Sequence, residues 1–152
     1  MALGYTYYSA ADPDLRELRS VVAAAVGGTV TADETIVRDG LSIASWRVTP
    51  GDEAYAPQLF GFTHRLTVRF RLPSRWRELE EHNTALMIAA VLTIVDRTGA
   101  DSVLLFNGEE AILQSVDGEV IFAEDWEGWE EYPKAAAFKA GRRVARLPQP
   151  LL

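Results

Sequence analysis

Two dipeptides, Asn107-Gly108 and Asp117-Gly118, constrain this chain more than anything else in it. Asn-Gly and Asp-Gly both tolerate the positive φ angles of a two-residue turn whose twist matches that of its flanking strands, so each predicts a β-hairpin. The apolar runs around them are Ser102–Phe106, Ala111–Val116 and Glu119–Ala123, and together they predict a three-stranded meander. Out of this meander runs EDWEGWEEY, in which Trp126, Trp129 and Tyr132 are interleaved with carboxylates. Between Glu109 and Glu131 there are nine acidic residues and no Lys or Arg, more than the whole chain's net charge of −7, so the acidity is local.

Working outward from the meander, the strongest alternation is Phe62–Leu72. Phe62, His64, Leu66, Val68, Phe70 and Leu72 face one way, and Thr63, Arg65, Thr67, Arg69 and Arg71 face the other. That is the period of a strand with one buried face and one cationic, solvated face. Pro73 ends it, and Ser74 is placed to cap a helix over about 75–97 whose apolar C-terminal half predicts burial. Gly99 stops that helix.

The first part of the chain repeats this order. Leu3–Ser9 alternates as a strand, and Asp12-Pro13 supplies an N-cap and a first-turn proline for a helix over about 13–26. Short β-branched pieces follow at 29–32 and 35–38, then Asp39-Gly40 and a strand at 41–48. Thr49–Leu59, with two prolines and a glycine, predicts a surface loop. The fold class expected is α+β: two helices packed on one face of a mostly antiparallel sheet, with element order β-α-β-β and then β-α-β-β-β. Residues 1–133 form the expected single domain. Residues 134–152 are expected to be a weakly helical basic tail, carrying Arg142, Arg143 and Arg146, with a frayed proline-rich end.

Composition closes off several classes of function. With 152 residues the chain suits one domain, which buries roughly two thirds of its unfolded surface. Having no cysteine, it has no disulfide, thiolate metal site or cysteine nucleophile, and it suits a reducing cytoplasm. The first residues carry no basic region or apolar run typical of a secretory signal, and no stretch approaches the roughly 20 apolar residues of a membrane span. The acidic balance disfavours nucleic acid as a partner and favours a basic protein.

Catalytic signatures are missing. There is no G-x-S-x-G, Walker A or G-x-G-x-x-G pattern, and Gly108 and Gly118 are accounted for by turn geometry. His64 and His82 belong to no metal motif, and neighbouring carboxylates such as Glu109-Glu110 or Glu124-Asp125 point to opposite faces of a strand. A non-enzymatic protein with no metal and no cofactor is expected. A hydrolase using His64 or His82 would need both histidines in one pocket.

The segment that remains is the acidic and aromatic one. Three large aromatics within seven residues pack a core, or, in a charged and glycine-broken stretch, stand outward as binding anchors, since Trp and Tyr dominate interaction hot spots. The expected site is a docking face with Trp126, Trp129 and Tyr132 as anchors. Asp125, Glu127, Glu130, Glu131 and Glu109 would orient a basic partner around them.

The run LLFNGE, preceded by Asp101 and a long apolar helix and followed by a meander leading to Asp125-Trp126, resembles the immunity proteins of the swarming-inhibition (Sit) toxin systems. The Arg-alternating strand at 66–72 is also similar. The resemblance spans about residues 62–130 and implies a small cytoplasmic protein without catalysis that binds a cognate toxin and protects the producing cell and its kin. The other reading is a general interaction domain that self-associates, as a homodimer, through exposed strand edges.

Overall fold

The structure, a computed structural model, describes residues 2–73 and 76–150, with only the backbone at residues 2 and 73. One nine-stranded sheet organises it. The strands are β1 (Ala2–Ser9), β2 (Thr29–Val30), β3 (Ile36–Arg38), β4 (Leu41–Arg47), β5 (Leu66–Pro73), β6 (Ser102–Phe106), β7 (Glu110–Val116), β8 (Glu119–Ala123) and β9 (Arg143–Ala145). Their spatial order is β2-β3-β4-β5-β1-β6-β7-β8-β9, antiparallel throughout except for the parallel β8–β9 pair. The fold is thus α+β, as the element pattern predicts. Both short β-branched pieces form strands, so the first half reads β-α-β-β-β rather than β-α-β-β. The leading strands of the two halves, β1 and β5, pair at the centre, and each half's meander lies outside the other half's leading strand.

The meander follows its turns. Asn107 and Gly108 have φ of 54° and 71°, Asp117 and Gly118 of 51° and 81°. Two successive left-handed residues are what a two-residue turn between right-twisted strands needs, and Asn, Asp and Gly adopt them at least cost. In register, Leu104, Leu113 and Phe122 stand side by side on one face, continuous with Tyr7 and Val68.

Helices α1 (Leu15–Val26) and α2 (Arg77–Thr98) cover that face. Asp14 caps α1, its carboxylate accepting from the Glu17 amide at 2.9 Å; the expected cap, Asp12, lies two residues earlier because the Pro13 peptide is still outside the helix. Ser74, expected to cap α2, lies outside the described residues, and the N-cap is Trp76, whose side chain makes no capping bond. Ala90, Val91, Leu92, Ile94 and Val95 of α2 are all buried, because α2 is flanked by α1 and by the later helical turn Pro133–Ala136 and rests on the sheet. This is the burial expected of its apolar C-terminal half.

On the reverse face Val103 and Leu105 are also fully buried. The 3₁₀ turn Ala56–Phe60 lies against β6, and Gln149 Oε1 accepts from the Ala111 amide at 3.0 Å while Leu147 is buried. The segment expected to be a frayed tail therefore supplies a strand and a buried leucine as far as residue 150, since Leu147 and β9 give it apolar area and a hydrogen-bonded edge to occupy. On the reverse face of β4, β5 and β1, Trp46, Arg69 and Arg71 are exposed while Thr67 beside them is buried.

Candidate functional site

After β8 the chain turns at Glu124-Asp125 and forms two single-turn helices, α3 (Gly128–Glu131) and α4 (Pro133–Ala136). This local geometry decides the fate of the aromatic-acidic segment. Trp126 and Tyr132 flank the turn of α3 that carries Trp129, and at this three-residue spacing all three turn inward while Glu127, Glu130 and Glu131 turn outward.

The expectation of outward-standing anchors is corrected here: Trp126, Trp129 and Tyr132 are only 5%, 6% and 3% exposed. The indole of Trp126 meets the rings of Tyr5 and Tyr132, each with centroids 6.3 Å apart, and Trp129 stands edge-on to Phe122 at 5.6 Å. Trp129 Nε1 donates to the Ala123 carbonyl at 2.6 Å, which satisfies its one polar group inside the core. The Tyr132 hydroxyl donates to Glu80 Oε1 on α2. Large apolar area, with satisfied polar tips on Trp129 and Tyr132, makes the interior the lower free-energy place for these rings.

The carboxylates behave differently. Glu124, Asp125, Glu127, Glu130 and Glu131 are all exposed, and so is Glu109 on the β6–β7 turn. The structure brings some of them together around a cleft of about 320 Å³, walled by Tyr5, Phe106, Trp126 and Tyr132 and rimmed by Glu80, Glu110, Glu127 and Glu131. Glu109, Glu130 and Trp129 are not part of its lining. Withdrawal from water holds the Glu110 carboxyl above its ordinary value, and the charges of Glu127 and Asp125 push the same way. None of Glu109, Glu110, Glu124, Asp125, Glu127, Glu130 and Glu131 forms an ion pair among the described residues.

Glu80 and Glu110 are the rim residues that sequence reasoning missed. They reach the cleft from α2 and β7, 46 and 16 residues before Trp126, and no local spacing marks them. The inward rings did carry a signal: aromatics at 126, 129 and 132 recur at three-residue intervals, the spacing of one helical face.

The histidines do not converge. His64 is buried beside Tyr8, ring centroids 4.7 Å apart, at a separate cleft of about 280 Å³ on the reverse face. His82 lies on α2, with its Nε2 3.4 Å from Arg38 Nη2. Among the described residues no group of three or more His, Asp or Glu side chains is placed to hold a metal ion, and no helix is long and apolar enough to cross a membrane.

Fold and site together define a single-sheet α+β protein with a run of exposed carboxylates, Glu124 to Glu131, beside an aromatic-walled cleft. The chain belongs to the SitI3-like family, whose model matches residues 3–133. The match bears out the resemblance to the Sit immunity proteins and extends it to the first half, from β1 onward. No curated protein and no solved structure gives a match.

Proposed function

We propose that this protein is an immunity protein that neutralises a cognate toxin by direct, stoichiometric binding in the cytoplasm of the producing cell. The observation that carries this reading is that Asp125, Glu127, Glu130 and Glu131 are exposed side by side and form no ion pair among the described residues. Like charges left unpaired on one surface cost folding stability through repulsion, and a basic partner surface relieves that repulsion on contact.

The role of the aromatics in this reading differs from that expected of anchors. Buried Trp126, Trp129 and Tyr132 hold the backbone of 124–132 in place, so that Asp125, Glu127, Glu130 and Glu131 meet the toxin already arranged. A preorganised surface loses less side-chain and backbone freedom on binding. Glu110 extends the rim across the cleft, and Glu109 continues it along the neighbouring turn.

The test is titration of the toxin encoded beside this protein, followed by calorimetry. A one-to-one complex is expected, and Glu127→Lys/Glu130→Lys should weaken it by at least about tenfold, equivalent to about 1.4 kcal/mol. Both positions are exposed, so the variant's melting temperature should stay close to that of the parent. Absence of a complex with that toxin would refute the immunity reading, and undiminished affinity in the variant would refute the acidic rim as its site.

A further inference from the structure

The reverse face of β4, β5 and β1 exposes Trp46, Arg69 and Arg71. Alternation places Arg69 and Arg71 outward there, opposite Ala44 and Ser42 on β4 and Thr6 and Gly4 on β1. Those four small residues make a flat floor from which the two guanidinium groups rise. Trp46, paired with Thr67 and 38% exposed, stands at the same face, with Arg69 over its ring at 5.3 Å. Strands β1, β4 and β5 contain no Asp or Glu. Neither Arg69 nor Arg71 has an ion-pair partner among the described residues. At one end the face runs into the 280 Å³ cleft lined by Tyr8, Trp46 and Arg69, with Asp52 as its one carboxylate.

Guanidinium groups next to an exposed indole are the residue types that anchor protein interfaces, and here they stand exposed on interior strands of the sheet. In a chain of net charge −7 such a face favours an acidic partner. One such partner is present in the molecule itself, the exposed carboxylates of Glu124–Glu131. Tyr5 and Phe70 share the helix-covered face with Trp126, so a chain's acidic segment lies on the opposite side from its own Arg69 and Arg71. Contact between them requires two copies.

We infer that the reverse face of β4, β5 and β1 docks the acidic segment 124–131 of a second copy, in a head-to-tail contact. Such a contact joins two different patches, so it does not close on itself in a dimer, and each pair leaves one acidic and one cationic face open. The inference stands apart from the toxin reading, although a second copy and a toxin would compete for the same carboxylates.

Sedimentation of the full chain over a concentration series, at low and at high salt, tests it. Concentration-dependent association is expected at low salt and should weaken as salt is added. The exposed-site variants Arg69→Gln/Arg71→Gln and Glu127→Gln/Glu130→Gln should each be monomeric alone. Mixed together they should form a one-to-one pair that grows no further, because one supplies an intact acidic segment and the other an intact cationic face. A wild-type chain that is monomeric under all these conditions overturns the inference, as does association that either variant leaves unchanged. Failure of the two variants to pair while the wild type associates overturns the head-to-tail arrangement. A monomeric wild type whose toxin complex is lost in Arg69→Gln/Arg71→Gln assigns the face to the toxin instead.

Discussion

The indole rings of Trp126 and Trp129 stand edge to face, centroids 4.7 Å apart and planes at 88°, and neither ring reaches solvent to any extent. Edge-to-face packing sets the positive rim of one ring against the negative face of the other and adds to what burial alone provides. The pair is therefore a structural joint between β8 and the segment that follows it.

Truncating this joint should unfold the protein rather than trim its binding. Trp129→Ala removes a buried indole and its hydrogen bond to Ala123, a loss of about 3–5 kcal/mol. Gly128→Ala is the sharper test. Alanine is the better helix former, yet a methyl group at residue 128 would overlap the Trp126 indole. Overpacking of this kind costs about 1–3 kcal/mol. Urea denaturation measures both, and a Gly128→Ala protein as stable as the parent would contradict the packing described.

Alkali should act through three buried tyrosines. Burial pushes the Tyr7 phenol up to about 12 from an ordinary 10.0, and burial also raises Tyr5 and Tyr132, the latter held further by its bond to Glu80. Above pH 10 the unfolded chain gives up these protons and the folded one keeps them. Stability is then complete below about pH 10 and falls above it, by up to about 1.4 kcal/mol per pH unit for each tyrosine. Ultraviolet titration should show the buried phenols of Tyr5, Tyr7 and Tyr132 ionising only as the protein unfolds.

Acid should act through His64. Burial lowers its affinity for a proton, with the charge of Glu53 opposing weakly, so the folded protein keeps the ring neutral. As pH falls below 6.5, the ordinary value, the unfolded chain binds a proton that the folded chain refuses, and stability drops. Replacing His64 with Gln should flatten the fall in melting temperature over that range. An unchanged acid limb would show that another group controls it.

Glu110 should separate stability from binding. Its raised carboxyl contributes stability below the ordinary range and loses it as pH rises through the shifted value, so Glu110→Gln should keep or raise the melting temperature at neutral pH. A cation arriving at the rim favours the ionised form, so toxin affinity should decline as pH falls through that same value and be weaker and flatter in the variant. If the variant binds as the parent does at every pH, Glu110 lies outside the contact.

Much of the sheet was legible locally. Strand Glu119–Ala123 begins where the Asp117-Gly118 turn requires, with Val116 paired to Glu119 across two residues, whereas Phe106 pairs with Glu110 across three and the register shifts between Leu104 and Leu105. Phe62 and His64 continue the alternation of β5 in the sequence, but the strand begins only at Leu66, preceded by Arg65, whose amide donates to the Ser9 carbonyl and whose carbonyl accepts from the Val48 amide, each at 2.8 Å. The acidity of the site was equally plain. The direction of its indoles was not, because charge around Trp126 and Trp129 suggests exposure, whereas a single helical turn sorts rings from carboxylates residue by residue. Glu80 and Glu110 joined them through tertiary packing, which no window of sequence contains.

The pairing of β9 with β8 reaches ten residues past the stretch that defines the family. Cutting the chain after Pro133 would strip the flank of β8 and uncap the Ala111 amide, leaving a bare row of donors and acceptors that invites stacking into insoluble fibres. A minimal version of this protein therefore has to run at least through Gln149, and its sticky side is the one its own last residues now bandage.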